Sequence, residues 1–275
     1  MVVVGDTQRA IPVGRWLLRR ETNDAARSRV ARAFLDAPSD ARVHLGDLVG
    51  RVGAPEDWAR FDRDYPAARL AERPLLVCRG NHDVSSPLFG RDDAFRARFP
   101  AACAGLQRLD VGPLRLIAFD TNRGALGARR WAAQREALAS ALDAARDDVS
   151  VAHVVVLAHH PPFTNGRWHP PRDDVRAALR APLRACGKVR ACLSGHVHGY
   201  ERFTVDGVRF VVSAGGGGAR FSHTAGAAQR TKADVCLPDP HPFHYLVLTA
   251  REDALRVEVR GIDAPDAPWR TVDAW

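Results

Sequence analysis

Leu193-Ser194-Gly195-His196-Val197-His198-Gly199-Tyr200-Glu201 decides how the rest of this chain reads. Its two histidines, one residue apart, follow the apolar run Val189 to Leu193, which reads as a buried strand. In extended chain, residues i and i+2 point to the same side, so His196 and His198 at a strand end can face one site. Gly195, lacking a Cβ, lets the backbone approach whatever they hold. Alone, such a pair is more often two satisfied loop histidines, and its weight depends on partners elsewhere.

Those partners stand at the ends of other apolar runs. Met1 to Gly5 reads as a strand ending on Asp6, Ala41 to Leu45 as one ending on Gly46-Asp47, and Pro74 to Cys78 as one ending on Gly80-Asn81-His82-Asp83. Leu114 to Phe119 closes on Asp120, and Val151 to Ala158 closes on His159-His160. Between the runs, Val30, Ala33 and Phe34, then Trp58, Phe61 and Leu70, suggest helical passages, and Gln134 to Ala145 is amphipathic with Leu138, Ala141, Leu142 and Ala145 on one face. Strand and helix in alternation predict an α/β layer with parallel neighbours. Beyond the histidines the texture turns antiparallel: a hairpin across Asp206-Gly207 joins Phe203–Val205 to Val208–Val212, and another joins Tyr245–Thr249 to Leu255–Val259. With no repeat or linker in view, residues 1–275 are expected to form one domain.

Composition narrows the class. The 275 residues, 46% hydrophobic and 26% charged, suit a soluble globular chain with a sizeable core. No apolar run approaches the ~20 residues that cross a bilayer. Val2-Val3-Val4 leads at once into Gly5-Asp6 without a signal peptide, so the expected location is the cytoplasm unless a leader has been removed. The formal charge of +8 invites a nucleic-acid partner, but Lys188 and Lys232 are the only lysines and the arginines are scattered. A solvated basic surface that tolerates anionic substrates is the favoured meaning. Five cysteines, an odd number with no CxxC, fit reduced core thiols. No membrane partner is expected.

Asp6, Asp47, Asn81, His159, His196 and His198 thus gather at carboxyl ends of strands, where open α/β sheets bind ligands. Carboxylate, carboxamide and imidazole together suit Mn, Fe or Zn, not a thiolate site. Singly, the aspartates read as helix caps and Asn81 as a turn residue; as a set, those readings do not explain why all fall at strand ends.

In these blocks, in this order, the chain resembles the calcineurin-like metallophosphoesterases: Gly5-Asp6-Thr7-Gln8, Gly46-Asp47, Gly80-Asn81-His82-Asp83, His159 and Gly195-His196-Val197-His198. The text around Gly199-Tyr200-Glu201-Arg202 is similar to the purple acid phosphatase branch. The resemblance implies a four-layer αββα sandwich of two mixed β-sheets flanked by helices. It implies two metal ions bridged by Asp47, one also held by Asp6 and His198, the other by Asn81, His159 and His196. His82 is then no ligand but assists the leaving group, oriented by Asp83, while a hydroxide bridging the ions attacks phosphorus directly. Two departures stand out. Where many members carry a histidine two residues after the first aspartate, this chain has Gln8, readable as a weak ligand or as a hydrogen-bonding neighbour of one. Where purple enzymes carry a metal-binding tyrosine three residues after the bridging aspartate, it has Gly50, so their charge-transfer colour is expected to be absent.

Hydrolysis of a small phosphate monoester is the favoured function. The alternatives are a phosphodiesterase or nuclease, and a catalytically silent metal-binding scaffold. For substrate contacts the candidates are Trp168 and His169, beside Phe163, and Arg220 after the run Gly215–Gly218, itself readable as a phosphate-meeting loop or a plain turn. His160 reads as a metal ligand, as support behind the ligands or as a contact; His223 and His241 read as surface residues; Arg19, Arg20 and Glu21 read as solvated helix charge.

Overall fold

Valine, restricted at χ1 and suited to a pleated surface, makes the first strand. The computed structural model describes residues 1–11, 14, 17 and 19–275, and in it β1 (Val2–Val4) lies parallel to β2 (Arg42–His44), which lies parallel to β3 (Leu75–Val77). On the other flank β1 pairs antiparallel with β11 (Phe243–Ala250), followed by β12 (Leu255–Ile262) and β13 (Arg270–Ala274), giving six strands in the order β13-β12-β11-β1-β2-β3. The second sheet has seven, β10-β8-β9-β7-β6-β5-β4. Its parallel centre is β5 (Leu114–Phe119), β6 (His153–Ala158), β7 (Val189–Ser194) and β9 (Val208–Ser213). Its antiparallel members are β4 (Gln107–Val111), β8 (Tyr200–Val205) and β10 (Val235–Cys236).

The period of two sorts each strand between two cores. Val3, Leu157, Leu193 and Leu246 meet between the sheets, whereas Val2 and Val4 face outward onto Val30 and Phe34 of α1 (Asp24–Asp36). That outer layer continues through α2 (Pro55–Asp64), α3 (Ala67–Leu70), α4 (Asp93–Arg98) and α5 (Pro100–Ala104), whose Trp58, Phe61 and Phe95 join it. Across the molecule, Val154, Val156 and Ala158 turn their outer face to α6 (Arg123–Asp147, broken at Gly127) and α7 (Asp173–Cys186). Two mixed sheets flanked by helices result, as the resemblance implied.

Several elements were not foreseen. β4, β10, β13 and the two short helices α4 and α5 carry too few apolar residues for a periodic signal. In α7 the buried residues Val175, Ala178, Leu179, Leu183 and Cys186 do keep helical spacing, but Pro182 interrupts the reading. Arg19 to Asn23 is not helical: Arg19 has φ 50° and α1 starts only at Asp24. Cys78, Cys186 and Cys192 are buried thiols. Among the described residues, no helix is long and apolar enough to cross a membrane.

Candidate metal centre

The carboxyl ends of β1, β2 and β3 in one sheet and of β6 and β7 in the other meet at a single edge. The backbone stitches them together: Asp6 N–H donates to Gly46 O at 3.0 Å, and Gly195 N–H to His159 O at 3.0 Å. Three of the six candidate ligands adopt the left-handed region that side chains disfavour: Asp6 (φ 60°), Asp47 (φ 55°) and His196 (φ 72°). Such residues cost on the order of 1–3 kcal/mol each and persist where their surroundings over-determine them. Here the sharp turns swing each side chain from its strand end into the common site. Close approach then requires glycine beside them. A Cβ on Gly80 would lie 2.1 Å from Asp47 Oδ1, and one on Gly195 would lie 2.4 Å from Asp6 Oδ2.

All six sequence-predicted ligands come together, in two groups that share Asp47. In the first, His198 Nε2 is 3.5 Å from Asp6 Oδ1, while its Nδ1–H donates to Ala219 O at 2.5 Å, which turns Nε2 inward. In the second, Asn81 Oδ1 lies 3.1 Å from His159 Nε2 and 2.8 Å from His196 Nδ1. His159 is oriented likewise, its Nδ1–H donating to Leu45 O at 2.9 Å. Asp47 reaches both groups: Oδ1 is 3.4 Å from His159 Nε2, and Oδ2 is 3.0 Å from the Gln8 amide, which is itself 3.0 Å from His198 Nε2. Backbone-anchored imidazoles whose other nitrogen faces a carboxylate are how proteins prepare metal ligands.

Charge supports the same reading. Asp6 is fully buried, and burial first of all raises its pKa despite the His198 and His159 rings nearby. For Asp47, burial acts upward too, but His159 and His82 outweigh it and hold the carboxyl well below its usual range. Burial would lower His159, yet Asp47 and Asp6 lift it to about 9; His196 and His160 are held well down by burial and by neighbouring imidazoles. Two buried carboxylates beside three imidazoles and two carboxamides form a donor set that suits cations.

Gln8 stands in the first group. Its Oε1 is buried with no hydrogen-bond partner among the described residues, while its nitrogen points at Asp47 and His198. Turning the amide over exchanges the two atoms and aims the unpartnered oxygen at the same spot, as a ligand oxygen would be. His160 lies just behind, its Nδ1 2.7 Å from Thr121 Oγ1 and its ring 4.5 Å from that of His196.

His82 stacks on Phe89 with ring centroids 4.1 Å apart and donates from Nδ1 to Gly50 O at 2.6 Å, leaving Nε2 for the cleft. Asp83 does not orient it, contrary to the expectation. Its buried carboxylate instead accepts the backbone amides of Asp47 (2.7 Å), Leu48 (3.1 Å) and Gly80 (2.9 Å), because the left-handed turn at Asp47 leaves those donors pointing inward. Gly50 leaves no room for a tyrosine either: a Cβ there would stand 2.5 Å from Arg9 O.

The substrate-side candidates fare unevenly. The centre opens into a cleft of about 120 Å³ lined by Gln8, Asp47, Asn81, His82, Phe89, His169, His196, His198 and Phe221, with Arg20 at its edge. His169 thus lines it, stacked on Phe221 with centroids 4.9 Å apart. Trp168 is exposed and outside this lining. Arg220 is committed elsewhere: its Nε and Nη2 both donate to Glu21, and its guanidinium lies over Phe243. Glu21 is therefore that partner, not solvated helix charge. The glycine run is a spacer, neither phosphate loop nor free turn. Its Gly216 and Gly218 amides donate to Gly5 O and Asp6 O, and a Cβ on Gly218 would touch the His198 ring at 2.6 Å. His223 and His241 are buried, not on the surface, because the loop that carries them folds back over Gly199.

Arg20, read as solvated helix charge, instead lies 4.8 Å over Phe221 and lines the cleft. Sequence reading missed Phe221, which stacks on His198 at 4.2 Å. It also missed His44, which braces Thr7 from behind at 3.0 Å. No spacing marks them, since each acts through a tertiary neighbour.

The family model of calcineurin-like phosphoesterases matches residues 1–200. Among similar solved structures is a purple acid phosphatase from seeds of yellow lupin, Lupinus luteus, at 20% identity and TM-score 0.65, the match covering all of this chain and 52% of the lupin chain. Others are a dimetal phosphatase from Danio rerio (14% identity, TM-score 0.62, 98% and 97% covered) and GAP50, the anchor in the inner membrane complex of Plasmodium (12%, 0.63, 100% and 86%). At these identities the likeness is one of fold, and the chain spans about half the length of the lupin protein. No curated protein matches the sequence.

Proposed function

The chain belongs to the calcineurin-like phosphoesterase family, a family of phosphoric ester hydrolases, and on that premise we propose that it is a dinuclear-metal phosphatase acting on small phosphate monoesters. The observation that carries this is the placement of Asp47, whose two carboxylate oxygens face two separate sets of donors. Asp6, His198 and Asp47, with Gln8 as a further oxygen donor, would hold one ion; Asn81, His159, His196 and Asp47 would hold the other. When bound, the pair supplies charge neutralisation at the phosphoryl oxygens and an acidified water as nucleophile. The donor set favours Mn, Fe or Zn.

The protein's own groups do the rest. His82, fixed by Gly50 O and by the face of Phe89, would as imidazolium carry a second proton on Nε2 and give it to the leaving oxygen, a contribution of about 10²–10⁴-fold. Phe221 and Phe89 line the cleft, and Arg20, its guanidinium over Phe221, lines it too as a cation for an anionic ester. Asp83 is a positioning residue for the Asp47 turn. The small cleft of about 120 Å³ beside the donor set is the feature that favours a small ester. Tyr200 and Glu201 lie away from the cleft: the Tyr200 hydroxyl donates to Asp273, and Glu201 accepts from Thr164 and Asn165.

The test is hydrolysis of p-nitrophenyl phosphate, bis-p-nitrophenyl phosphate, nucleotides and single-stranded DNA by protein stripped of metal and reloaded with Mn²⁺, Fe or Zn²⁺. Metal-dependent monoester turnover well above diester turnover is expected. Diester or DNA hydrolysis without monoesterase activity would reverse the preference, and no turnover by fully loaded protein would make the chain a scaffold.

A further inference from the structure

A second cluster of metal-ligating side chains lies behind the Phe221 wall. His223 Nδ1 and His241 Nε2 are 2.6 Å apart, and Asp239 Oδ1 is 2.9 Å from His241 Nε2. All three donor atoms lie within 4.8 Å of one another. Both rings are buried, and Asp239 is partly open to solvent at 43% of its side chain. The rings fit only because Gly199 has no side chain, since a Cβ there would stand 2.5 Å from His223 Cε1 and 2.9 Å from His241 Nε2. On its far side His223 presents Nε2 to the buried Glu201 carboxylate at 3.4 Å.

We propose that His223, Asp239 and His241 form a separate site for one zinc-class divalent ion, with Glu201 as the carboxylate behind His223 and a solvent-facing position left open beside Asp239. Two imidazoles and one carboxylate are a zinc donor set, and a carboxylate on the outer nitrogen of a ligating histidine fixes its tautomer. His223 Nε2 lies 3.4 Å from the Glu201 carboxylate without a hydrogen-bond partner among the described residues, and a proton held on that side would turn the Nδ1 lone pair to the shared space, which also receives the Asp239 oxygen. The competing arrangement has no ion, and His241 Nε2–H is shared between His223 Nδ1 and Asp239 Oδ1. Both arrangements keep that lone pair 3.2 Å from the carbonyl of Phe221 and leave the buried His241 Nδ1 without a partner, so the convergence of the three donor atoms, not these contacts, carries the site. An ion here would clamp both ends of the loop between Phe221 and Pro242. Phe221, two residues from His223, would thereby be held over His198 and His169.

The test counts ions and does not need turnover, so it is independent of how many the phosphatase centre holds. Wild type, Asp239→Asn and His241→Gln are stripped, dialysed against Zn²⁺ and assayed for zinc per chain by elemental mass spectrometry, with melting temperature followed on Zn²⁺ titration. One equivalent fewer in both variants is expected, with the Zn²⁺ midpoint of that equivalent weakened at least about tenfold in Asp239→Asn, since even outer partners of a ligand contribute 10–100-fold. If His241→Gln does not fold, the half-exposed Asp239→Asn decides alone. Unchanged zinc stoichiometry and an unchanged Zn²⁺-dependent melting shift in Asp239→Asn would overturn the site and leave a hydrogen-bonded histidine pair.

Discussion

Replacing Asp83 by alanine separates two ways in which this residue could matter. If it served His82, the variant would lose turnover as His82→Ala does and would keep its stability and its metals. The structure predicts otherwise, because the carboxylate accepts the amides of Asp47, Leu48 and Gly80 at 2.7, 3.1 and 2.9 Å. Removing it orphans three buried donors, each worth about 1–3 kcal/mol when left unsatisfied. The low end of that sum, about 3 kcal/mol, is the expected loss. The removed carboxyl is itself strained as an anion: burial first, and Asp47 second, push its pKa up to about 7, so part of the loss is returned as relieved repulsion. The turn at Asp47, with φ 55°, loses what holds it and relaxes. The assay is urea unfolding in the presence of chelator, which removes metal linkage from the comparison, together with metal content and p-nitrophenyl phosphate turnover after reloading. Expected are a fall of about 3 kcal/mol in unfolding free energy and reduced metal uptake. Stability within about 0.5 kcal/mol of wild type, the range of neutral surface changes, with full metal content would refute the reasoning and return Asp83 to a role at His82.

Three further outcomes are expected. His82→Ala should retain its metals yet lose about 10²–10⁴-fold in turnover on alkyl phosphates and far less on nitrophenyl esters, whose leaving group needs no proton; equal losses on both would remove the acid role. Gly80→Ala places a Cβ 2.1 Å from Asp47 Oδ1 and should displace the carboxylate from both donor groups, so metal content and activity fall together; an active, fully loaded variant would show that the Asp47 turn gives way at no cost. For Glu21, burial pushes the carboxyl pKa up but hydrogen bonds from Arg220 and Asn23 win and bring it from 4.5 to about 2. A depressed carboxyl stabilises the fold above its unfolded pKa and ceases to do so as pH falls through the folded one. The stability gap between wild type and Glu21→Gln should therefore be full above about pH 5 and vanish near pH 2; a gap independent of pH across that window would mean that the ion pair is not its source.

What could be read along the chain was whatever repeats locally. Strand ends followed by Asp6, Asp47, Asn81, His159 and His196 are local patterns, since a buried β-run and the residue that stops it are sequence neighbours; the α/β order and the donor set followed from them. The same locality hid α7, whose apolar period is crossed by Pro182. It also misled on Arg220, Asp83, His223 and His241, because their partners, Glu21, the Asp47 turn and Gly199, are far away in sequence or set by backbone dihedrals that composition does not reveal. Residue types and spacing alone pointed to a metal-ligand inventory at the ends of parallel strands. Only the folded chain decided which atoms converge. Two sheets had to pack face to face to bring the ends of β2 and β7 together, and left-handed turns at Asp6, Asp47 and His196 had to aim the side chains. Contact energies between residues distant along the chain set that geometry, and no local pattern encodes them.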